Sequence, residues 1–173
     1  HHNVVRQHDV LTSFHLKAGG AQPPPTLAFL GTLQGLGAQV AAGAQAVQIF
    51  DSWVGALGAD DARRWALRPA RRLLEATADL GVPRIYFAHG GAHLLHDLPE
   101  MPCEVIGLDW RINIGDAIAR VGDKAVQGNI DPFALLLPEK QLRARVAQLL
   151  DDARQAKGHI FNLGHGIHQF TPP

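Results

Sequence analysis

The stretch Phe161-Asn162-Leu163-Gly164-His165-Gly166-Ile167 lies near the carboxyl end of the 173-residue sequence. The apolar run 159–161 at its start is typical of a short buried strand. Two glycines then bracket His165, and glycine permits φ > 0 and close approach of the backbone, so the chain can turn sharply there. Active sites of parallel α/β folds lie where strands end by presenting polar groups. His165 is therefore a candidate site residue, and a turn with a solvated histidine is the alternative.

Four further short apolar runs come earlier in the sequence, and each leads into polar residues. Runs that are continuously apolar, without alternation, indicate strands buried on both faces, as in a parallel sheet. The predicted strands are 46–50, 84–88, 103–108, 125–128 and 159–161. Because the carboxyl ends of parallel strands lie at one edge, we expect the polar side chains there to line a common pocket. These residues are Asp51, Ser52, His89, Asp109, Asn129, Asp131, Asn162 and His165.

The segments between the predicted strands have helical character, which makes the fold class α/β. Predicted helices cover 27–42, 60–79, 93–98, 113–121 and 138–157. Asn113 is a good N-cap with Gly122 beyond the end of its helix, and Pro69 predicts a kink in the second helix. Residues 1–25 show no clear period. A doubly wound sheet and part of a (β/α) barrel both fit this alternation.

The composition excludes several classes of protein. A hydrophobic content of 46% suffices for a core, and equal counts of 16 basic and 16 acidic residues give no reason to expect a nucleic-acid or membrane partner. The single Cys103 excludes an internal disulfide and a cysteine-only metal site. No apolar run approaches the roughly 20 residues of a membrane-spanning helix, and the start has neither a signal core nor an initiator methionine. We expect a soluble, cytoplasmic protein, and the missing methionine hints at a fragment.

Motifs at the ends of the predicted strands resemble those of one known family. They are Phe50-Asp51-Ser52-Trp53, Gly107-Leu108-Asp109-Trp110, Gln127-Gly128-Asn129-Ile130-Asp131-Pro132 and the stretch 161–167, with Gln169-Phe170-Thr171-Pro172-Pro173 closing the chain. In this order, over residues 44–173, they are similar to uroporphyrinogen decarboxylase of bacterial type. The resemblance fades before about residue 42. The predicted division is therefore a poorly matched segment at 1–42 and a domain at 43–173.

The resemblance implies a single (β/α)8 barrel of the TIM-barrel family, of which the five predicted strands would be the fourth to the eighth. It also implies a cytoplasmic homodimer that acts in heme biosynthesis. Enzymes of this family remove carbon dioxide from the four acetate side chains of uroporphyrinogen to give coproporphyrinogen, and they use no cofactor. We expect a tetrapyrrole substrate, no bound metal, and weak or no activity from a chain that holds only these five units.

The resemblance also assigns substrate-binding residues. Ser52 aligns with a hydroxyl residue that hydrogen-bonds a substrate side chain, and His165 aligns with a substrate-binding histidine. Phe50 would line the cleft. Without the resemblance, Ser52 could instead cap the helix that follows it, and Phe50 could belong to the core.

The catalytic residues stay unassigned. In the family, the arginines of an Arg-Gln-Ala-Gly-Arg segment and a key aspartate come from earlier strands, and residues 5–9 are only a superficial echo of that segment. The tyrosine expected ahead of the first motif has no counterpart, since the only tyrosine is Tyr86. Asp109 is expected to be a structural or supporting carboxylate. Asn129 and Asp131 are expected to fix the turn after their own strand.

Two alternatives to a decarboxylase stay open. The spacing of His89, His93 and His96 could place imidazoles on one helical face for zinc, as a zinc- and corrinoid-linked methyltransferase of the same superfamily would require. Two glycines interrupt that helix, and solvated loop histidines are the simpler interpretation. The second alternative is a non-catalytic fragment that binds tetrapyrroles or dimerises. The arginines of the predicted helix 60–79 are expected to form a solvated outer face.

Overall fold

The strands pair strictly in the order in which they occur in the sequence. A computed structural model of the chain describes residues 12–15 and 25–172, with side chains from residue 30 onward. It contains one parallel sheet of six strands, in the order β1-β2-β3-β4-β5-β6. These are β1 Thr12–His15, β2 Val47–Asp51, β3 Arg84–Ala88, β4 Val105–Gly107, β5 Ala125–Ile130 and β6 His159–Leu163. A doubly wound sheet reverses its strand order at a switch point, and this sheet does not, so the barrel alternative is the correct one.

The five predicted strands are confirmed, and the sheet has one more at Thr12–His15. This strand pairs with β2 through a register that begins at Thr12 and Val47. Four residues that mix polar and apolar types are too few to establish a period, so this strand could not be predicted from hydrophobic pattern. The segment 5–9 lies outside the described residues.

A hydrogen bond between two glutamines shows that the sheet curls. Gln127 Nε2 on β5 donates to Gln48 Oε1 on β2 at 3.2 Å, although β3 and β4 lie between these strands. In a flat sheet, strands three positions apart would be about 14 Å apart, because neighbours are spaced by about 4.8 Å. Both side chains are buried. The sheet is therefore wrapped around its inner face, as in a barrel wall.

Side chains alternate between that inner face and an outer face that carries the hydrophobic core. Val47, Ile49, Tyr86 and Ile106 lie on the outer face, where they belong to one cluster with residues of the helices. The cluster also includes Leu36, Leu73, Leu74, Ala117 and Val121. Burying apolar side chains here contributes roughly 25 cal/mol per Å2 of surface removed from water, and this term holds the helices on the sheet.

The helices follow the predicted pattern with shifted ends. They are α1 Pro25–Ala41, α2 Ala59–Ala62, α3 Arg68–Ala76, α4 Ile114–Val121 and α5 Glu139–Asp152. The Asn113 side chain accepts a hydrogen bond from the Asp116 backbone N–H at 3.1 Å, which confirms it as the N-cap of α4. The helix expected to reach residue 157 ends instead at Asp152, and a short 3-10 turn Ala153–Gln155 follows. Two short 3-10 turns, Gly91–Leu94 and Leu98–Glu100, replace the helix expected at 93–98.

The helix predicted at 60–79 is interrupted near its proline. A π-helical turn, Arg63–Leu67, separates α2 from α3, and Pro69 is the second residue of α3. Proline has no N–H to donate, and its ring collides with the carbonyl four residues earlier. The wider turn ahead of Pro69 gives that ring room, so the departure from regular helix falls before the proline.

Gly164, which follows β6, packs directly on the backbone after β4. A Cβ at position 164 would lie 3.0 Å from the Asp109 carbonyl carbon and the Trp110 Cα, and closer still to the Trp110 nitrogen. The Gly164 N–H also donates to the Ile130 carbonyl oxygen at 2.7 Å. Only a residue without a side chain lets these two segments approach so closely.

We expect Gly164→Ala to lower the free energy of unfolding by about 1–3 kcal/mol, because the added methyl group meets backbone atoms that cannot rotate away. Gly166→Ala is the matched control, since no described heavy atom lies within 4 Å of a Cβ built there. It should change stability by less than about 1 kcal/mol. Urea denaturation of both variants measures the difference, and equal midpoints would contradict the packing described here.

Candidate functional site

Side chains from three loops meet at the carboxyl ends of the strands. The His89 and His165 ring centroids are 4.8 Å apart, and Trp110 lies 5.8 Å from the first and 6.2 Å from the second. The Arg111 guanidinium carbon lies 4.0 Å from the Trp110 ring centroid, over its face. His89, Trp110, Arg111 and His165 are called the rim cluster below. Of the polar residues expected to gather at this edge, His89 and His165 lie in this cluster.

Asp109 is the buried carboxylate beneath the rim cluster. Its side chain is fully buried, and Oδ1 accepts a hydrogen bond from the Arg111 backbone N–H at 2.8 Å. Oδ2 accepts from the Gly90 N–H and from Arg111 Nη1, the latter at 3.3 Å. Asp109 therefore ties the loop after β3 to the loop after β4. These contacts are those of the supporting carboxylate that the sequence suggested.

Asn129 and Asp131 make different contacts, so the expectation that both fix the turn after β5 is correct only for Asp131. Asp131 Oδ1 accepts from the Phe133 N–H at 2.9 Å, so it does fix the turn after β5. The Asn129 side chain instead reaches the neighbouring loop, where Nδ2 donates to the carbonyl oxygens of Asp109 at 2.8 Å and Ile112 at 2.6 Å. Asn129 therefore ties β5 to the loop after β4 and not to its own turn.

His165 stands exposed at the open side of the cluster. Partial burial lowers the pKa of His165, and electrostatic interactions with the neighbouring His89 and Arg111 lower it further. The unfolded chain thus binds this proton more tightly than the folded one, so the stability that His165 contributes declines as the pH falls below about 6.5. A carboxylate bound beside His165 would act in the opposite direction and raise the pKa.

Phe50 pairs with Phe87 across β2 and β3, and Ser52 begins the loop that follows β2. The Ser52 carbonyl oxygen is 3.2 Å from His89 Nδ1, so the loop after β2 joins the cluster through its backbone. The Phe50 ring is half-buried, with its centroid 5.4 Å from that of Phe87. The alternative in which Ser52 caps the following helical turn is wrong, because Asp51 Oδ1 accepts from the Val54 N–H at 3.1 Å.

Asp51, which was expected in the common pocket, lies on the opposite face. It is buried on the outer side of the sheet, where Tyr86 Oη donates to its Oδ2 at 3.1 Å. Burial raises the pKa of the Asp51 carboxyl, and the bonds from Tyr86 and from backbone N–H groups offset part of that rise. Adjacent residues of a strand point to opposite faces, so Asp51 and Ser52 could not both enter the pocket.

Two of the three histidines considered for zinc make other contacts, and the third, His96, is exposed. His89 bonds Ser52 and Arg111, while His93 Nε2 lies 3.0 Å from the Leu57 carbonyl oxygen. Across residues 30–172, no three His, Cys, Asp or Glu side chains are grouped in a way that could hold a metal ion.

None of the helices in the described part of the chain has the length and apolar character that a membrane span requires.

Most of the chain matches one known protein family. The family model described as Uroporphyrinogen decarboxylase (URO-D) matches residues 31–173. The chain belongs to the uroporphyrinogen decarboxylase family. A uroporphyrinogen decarboxylase of Desulfotalea psychrophila is 56% identical over 142 residues, which are 82% of this chain and 42% of that protein. One of a Nocardioides species is 50% identical over 135 residues, which are 78% of this chain and 39% of that protein.

The chain thus spans about two fifths of the length of these relatives. A methyltransferase from Methanosarcina mazei has the same fold, with a TM-score of 0.71, 19% sequence identity, and a match over 85% of this chain and 44% of that one. At that identity, the likeness shows a shared fold and nothing about activity. It confirms that the α/β sheet is part of a TIM-barrel-like architecture.

Arg111 is a rim residue that the sequence interpretation missed. It directly follows the Asp109-Trp110 motif, so its place beside a strand end was visible, but one arginine on a loop carries no pattern. What distinguishes it is the stacking on Trp110 and the contact with His89, which come from different strands.

We expect Tyr86→Phe to destabilise the chain by about 1–3 kcal/mol at pH 7, because the buried Asp51 carboxylate loses its hydroxyl donor. The pKa of Asp51 should rise further above 3.8, since the Tyr86 bond lowers it. The loss should be smaller at pH 4, because lowering the pH toward the raised pKa favours the neutral carboxyl, which depends less on the donor. Thermal unfolding at both pH values measures this. A Tyr86→Phe/Asp51→Asn double variant is the control, and an equal loss at both pH values in Tyr86→Phe alone would contradict the assignment.

Proposed function

We propose that this chain supplies the carboxyl-terminal part of a uroporphyrinogen decarboxylase active site, and that the complete enzyme converts uroporphyrinogen III to coproporphyrinogen III in heme biosynthesis. The observation that carries the proposal is the rim cluster, which sets His89, Arg111 and His165 side by side at the carboxyl ends of parallel strands. The relatives at 46–56% identity have that name and match the strands that build the rim.

The reaction requires groups of two kinds. The electron-rich pyrrole is protonated so that the ring can accept the electrons of the carbon–carbon bond that breaks when carbon dioxide leaves. A fixed anionic group stabilises the resulting cationic ring, and preorganised charge of this kind is commonly the largest catalytic contribution. Donor groups must also hold the substrate carboxylates in one orientation, which lowers the entropic contribution to the activation barrier.

The described rim offers the second kind of group. His165 and Arg111 are exposed donors, and Ser52 lies in the loop that His89 holds. We assign Ser52 and His165 to hydrogen bonds with substrate side chains, and Phe50 to apolar contact with the macrocycle. No cofactor enters this scheme, because the protonated pyrrole itself accepts the electrons.

Within residues 30–172, the carboxylates near the rim are already engaged. Asp109 is fully buried and holds Gly90 and Arg111, and Asp51 lies on the outer face with Tyr86. Neither can face a cationic ring over the pocket. The proposal therefore places the anionic group and the substrate-binding arginines on the earlier strands of the barrel, where the family resemblance assigns them, and it makes this chain alone a tetrapyrrole binder with weak or no turnover.

The homodimer and the cytoplasmic location belong to the proposal as well. Trp53 and Trp65 are 57% and 63% exposed, and Arg64 stacks over Trp65 at 4.7 Å. Exposed tryptophans are enriched where two chains meet, so these residues support a second copy as the partner. We propose no methyltransferase activity, since nothing in the described rim favours a corrinoid or zinc over a tetrapyrrole polycarboxylate.

The proposal is tested by fusing the amino-terminal part of the Desulfotalea psychrophila relative to residues 31–173 and assaying uroporphyrinogen anaerobically. The fusion should produce coproporphyrinogen, while the 173-residue chain alone should show little or none. His165→Ala in the fusion should lower kcat/KM about 10- to 100-fold, because a hydrogen bond to a charged group is lost.

His96→Ala is the matched control, since it removes an exposed histidine on the loop before β4 that lies outside the rim cluster. It should leave kcat/KM unchanged. A folded, dimeric fusion that produces no coproporphyrinogen would refute the proposed activity. Equal losses in the two histidine variants would refute the role of His165.

A further inference from the structure

Arg111 is held at the rim as a half-exposed, preorganised cation. Its side chain is 48% exposed, and its guanidinium stacks on Trp110 at 4.0 Å. Its backbone N–H donates to Asp109 Oδ1, so the residue is anchored at both ends. Stacking on an aromatic face holds the planar guanidinium in one orientation and reduces the entropy that a ligand must remove on binding.

Only one corner of the guanidinium is used. Among the described residues, its hydrogen bonds come from Nη1, which lies 3.3 Å from Asp109 Oδ2 and 3.3 Å from His89 Nε2. The guanidinium carries five N–H donors in a fixed fork, and the edge formed by Nε and Nη2 matches the two oxygens of a carboxylate. That edge belongs to a half-exposed side chain of the rim cluster, where a ligand carboxylate can reach it.

The contact with His89 has a second consequence, for the loop after β2. A guanidinium can only donate, so His89 Nε2 must accept, and the ring proton must then sit on Nδ1. Nδ1 donates to the Ser52 carbonyl oxygen at 3.2 Å. Arg111 thus selects the tautomer that ties Ser52 to the cluster. The same side chain organises the existing rim and presents a free donor edge.

We propose that Arg111 is a specificity-determining residue that binds one carboxylate of the anionic substrate through Nε and Nη2, beside His165. This rests on the proposed decarboxylase function for the identity of the substrate. It gives the carboxyl-terminal part of the barrel its own carboxylate site, separate from any arginine on an earlier strand. Substrate binding depends on this site, but the chemistry of carbon dioxide loss does not.

The test compares Arg111→Gln, Arg111→Lys and Arg120→Gln in the fusion enzyme. Arg111→Gln should raise KM for uroporphyrinogen about 10- to 100-fold, with kcat changed less than about 3-fold, because a charged bidentate contact is lost while the reacting centre is intact. Arg111→Lys keeps the charge but lacks the forked donor geometry, so its KM should lie between that of the unaltered fusion and that of Arg111→Gln. Arg120 lies exposed in the last turn of α4, and its replacement should leave KM unchanged.

A second measurement separates this proposal from the activity. Uroporphyrin, the stable oxidised tetrapyrrole with the same carboxylates, is titrated into the 173-residue chain, and tryptophan fluorescence reports binding. Arg111→Gln should raise the Kd for uroporphyrin about 10-fold or more, whether or not the fusion enzyme is active. If the fusion is inactive and this loss is seen, the carboxylate site stands and the decarboxylase assignment fails.

Three results would overturn the proposal. The first is an active fusion in which Arg111→Gln leaves KM and the uroporphyrin Kd unchanged. The second is a rise in KM in His89→Gln equal to that in Arg111→Gln, which would mean that Arg111 acts only through His89 and Ser52. The third result applies if Arg111→Gln does not fold, in which case Arg111→Lys is the deciding variant. A KM for Arg111→Lys equal to that of the unaltered fusion would then overturn the proposal.

Discussion

The buried carboxylate of Asp109 is the group on which the rim depends. It accepts hydrogen bonds from backbone N–H groups on two loops and from the Arg111 side chain, and it has no exposed surface. A buried carboxylate without such donors would cost several kcal/mol, so the three donors must be present together for the fold to be stable. The loops after β3 and β4 are therefore fixed relative to one another before any ligand arrives.

The other strands are joined to this point through close contacts. Asn129 binds the Asp109 carbonyl oxygen from β5, and Gly164 packs on the Asp109–Trp110 backbone from β6. His89 connects the loop after β2 through the Ser52 carbonyl oxygen. Loops that carry functional groups are usually mobile. Here each loop is held to its neighbour by a hydrogen bond or a packing contact, which fixes His165 and Arg111 in position relative to the sheet.

The sequence predicted the parts of this structure that follow from local pattern. Continuous apolar runs identified five strands, Asn113 identified the start of α4, and the motif at 161–167 placed His165 at the rim. It could not predict which face each polar residue takes when two are adjacent, so Asp51 was placed in the pocket and is not. Nor could it find Arg111, whose position depends on an aromatic neighbour and a histidine from another strand. Contacts between strands are long-range and leave no period in the sequence.

The central claim is that the rim cluster is a site for substrate carboxylates, and the pKa of His165 tests it most directly. A histidine-resolved NMR titration of the 173-residue chain should give a value below 6.5 for His165 in the free protein, because burial, His89 and Arg111 disfavour its charge. With saturating uroporphyrin the pKa should rise, since an adjacent carboxylate favours the protonated ring. The same lowered pKa in the free and bound states would contradict the account, because the carboxylates would then lie elsewhere.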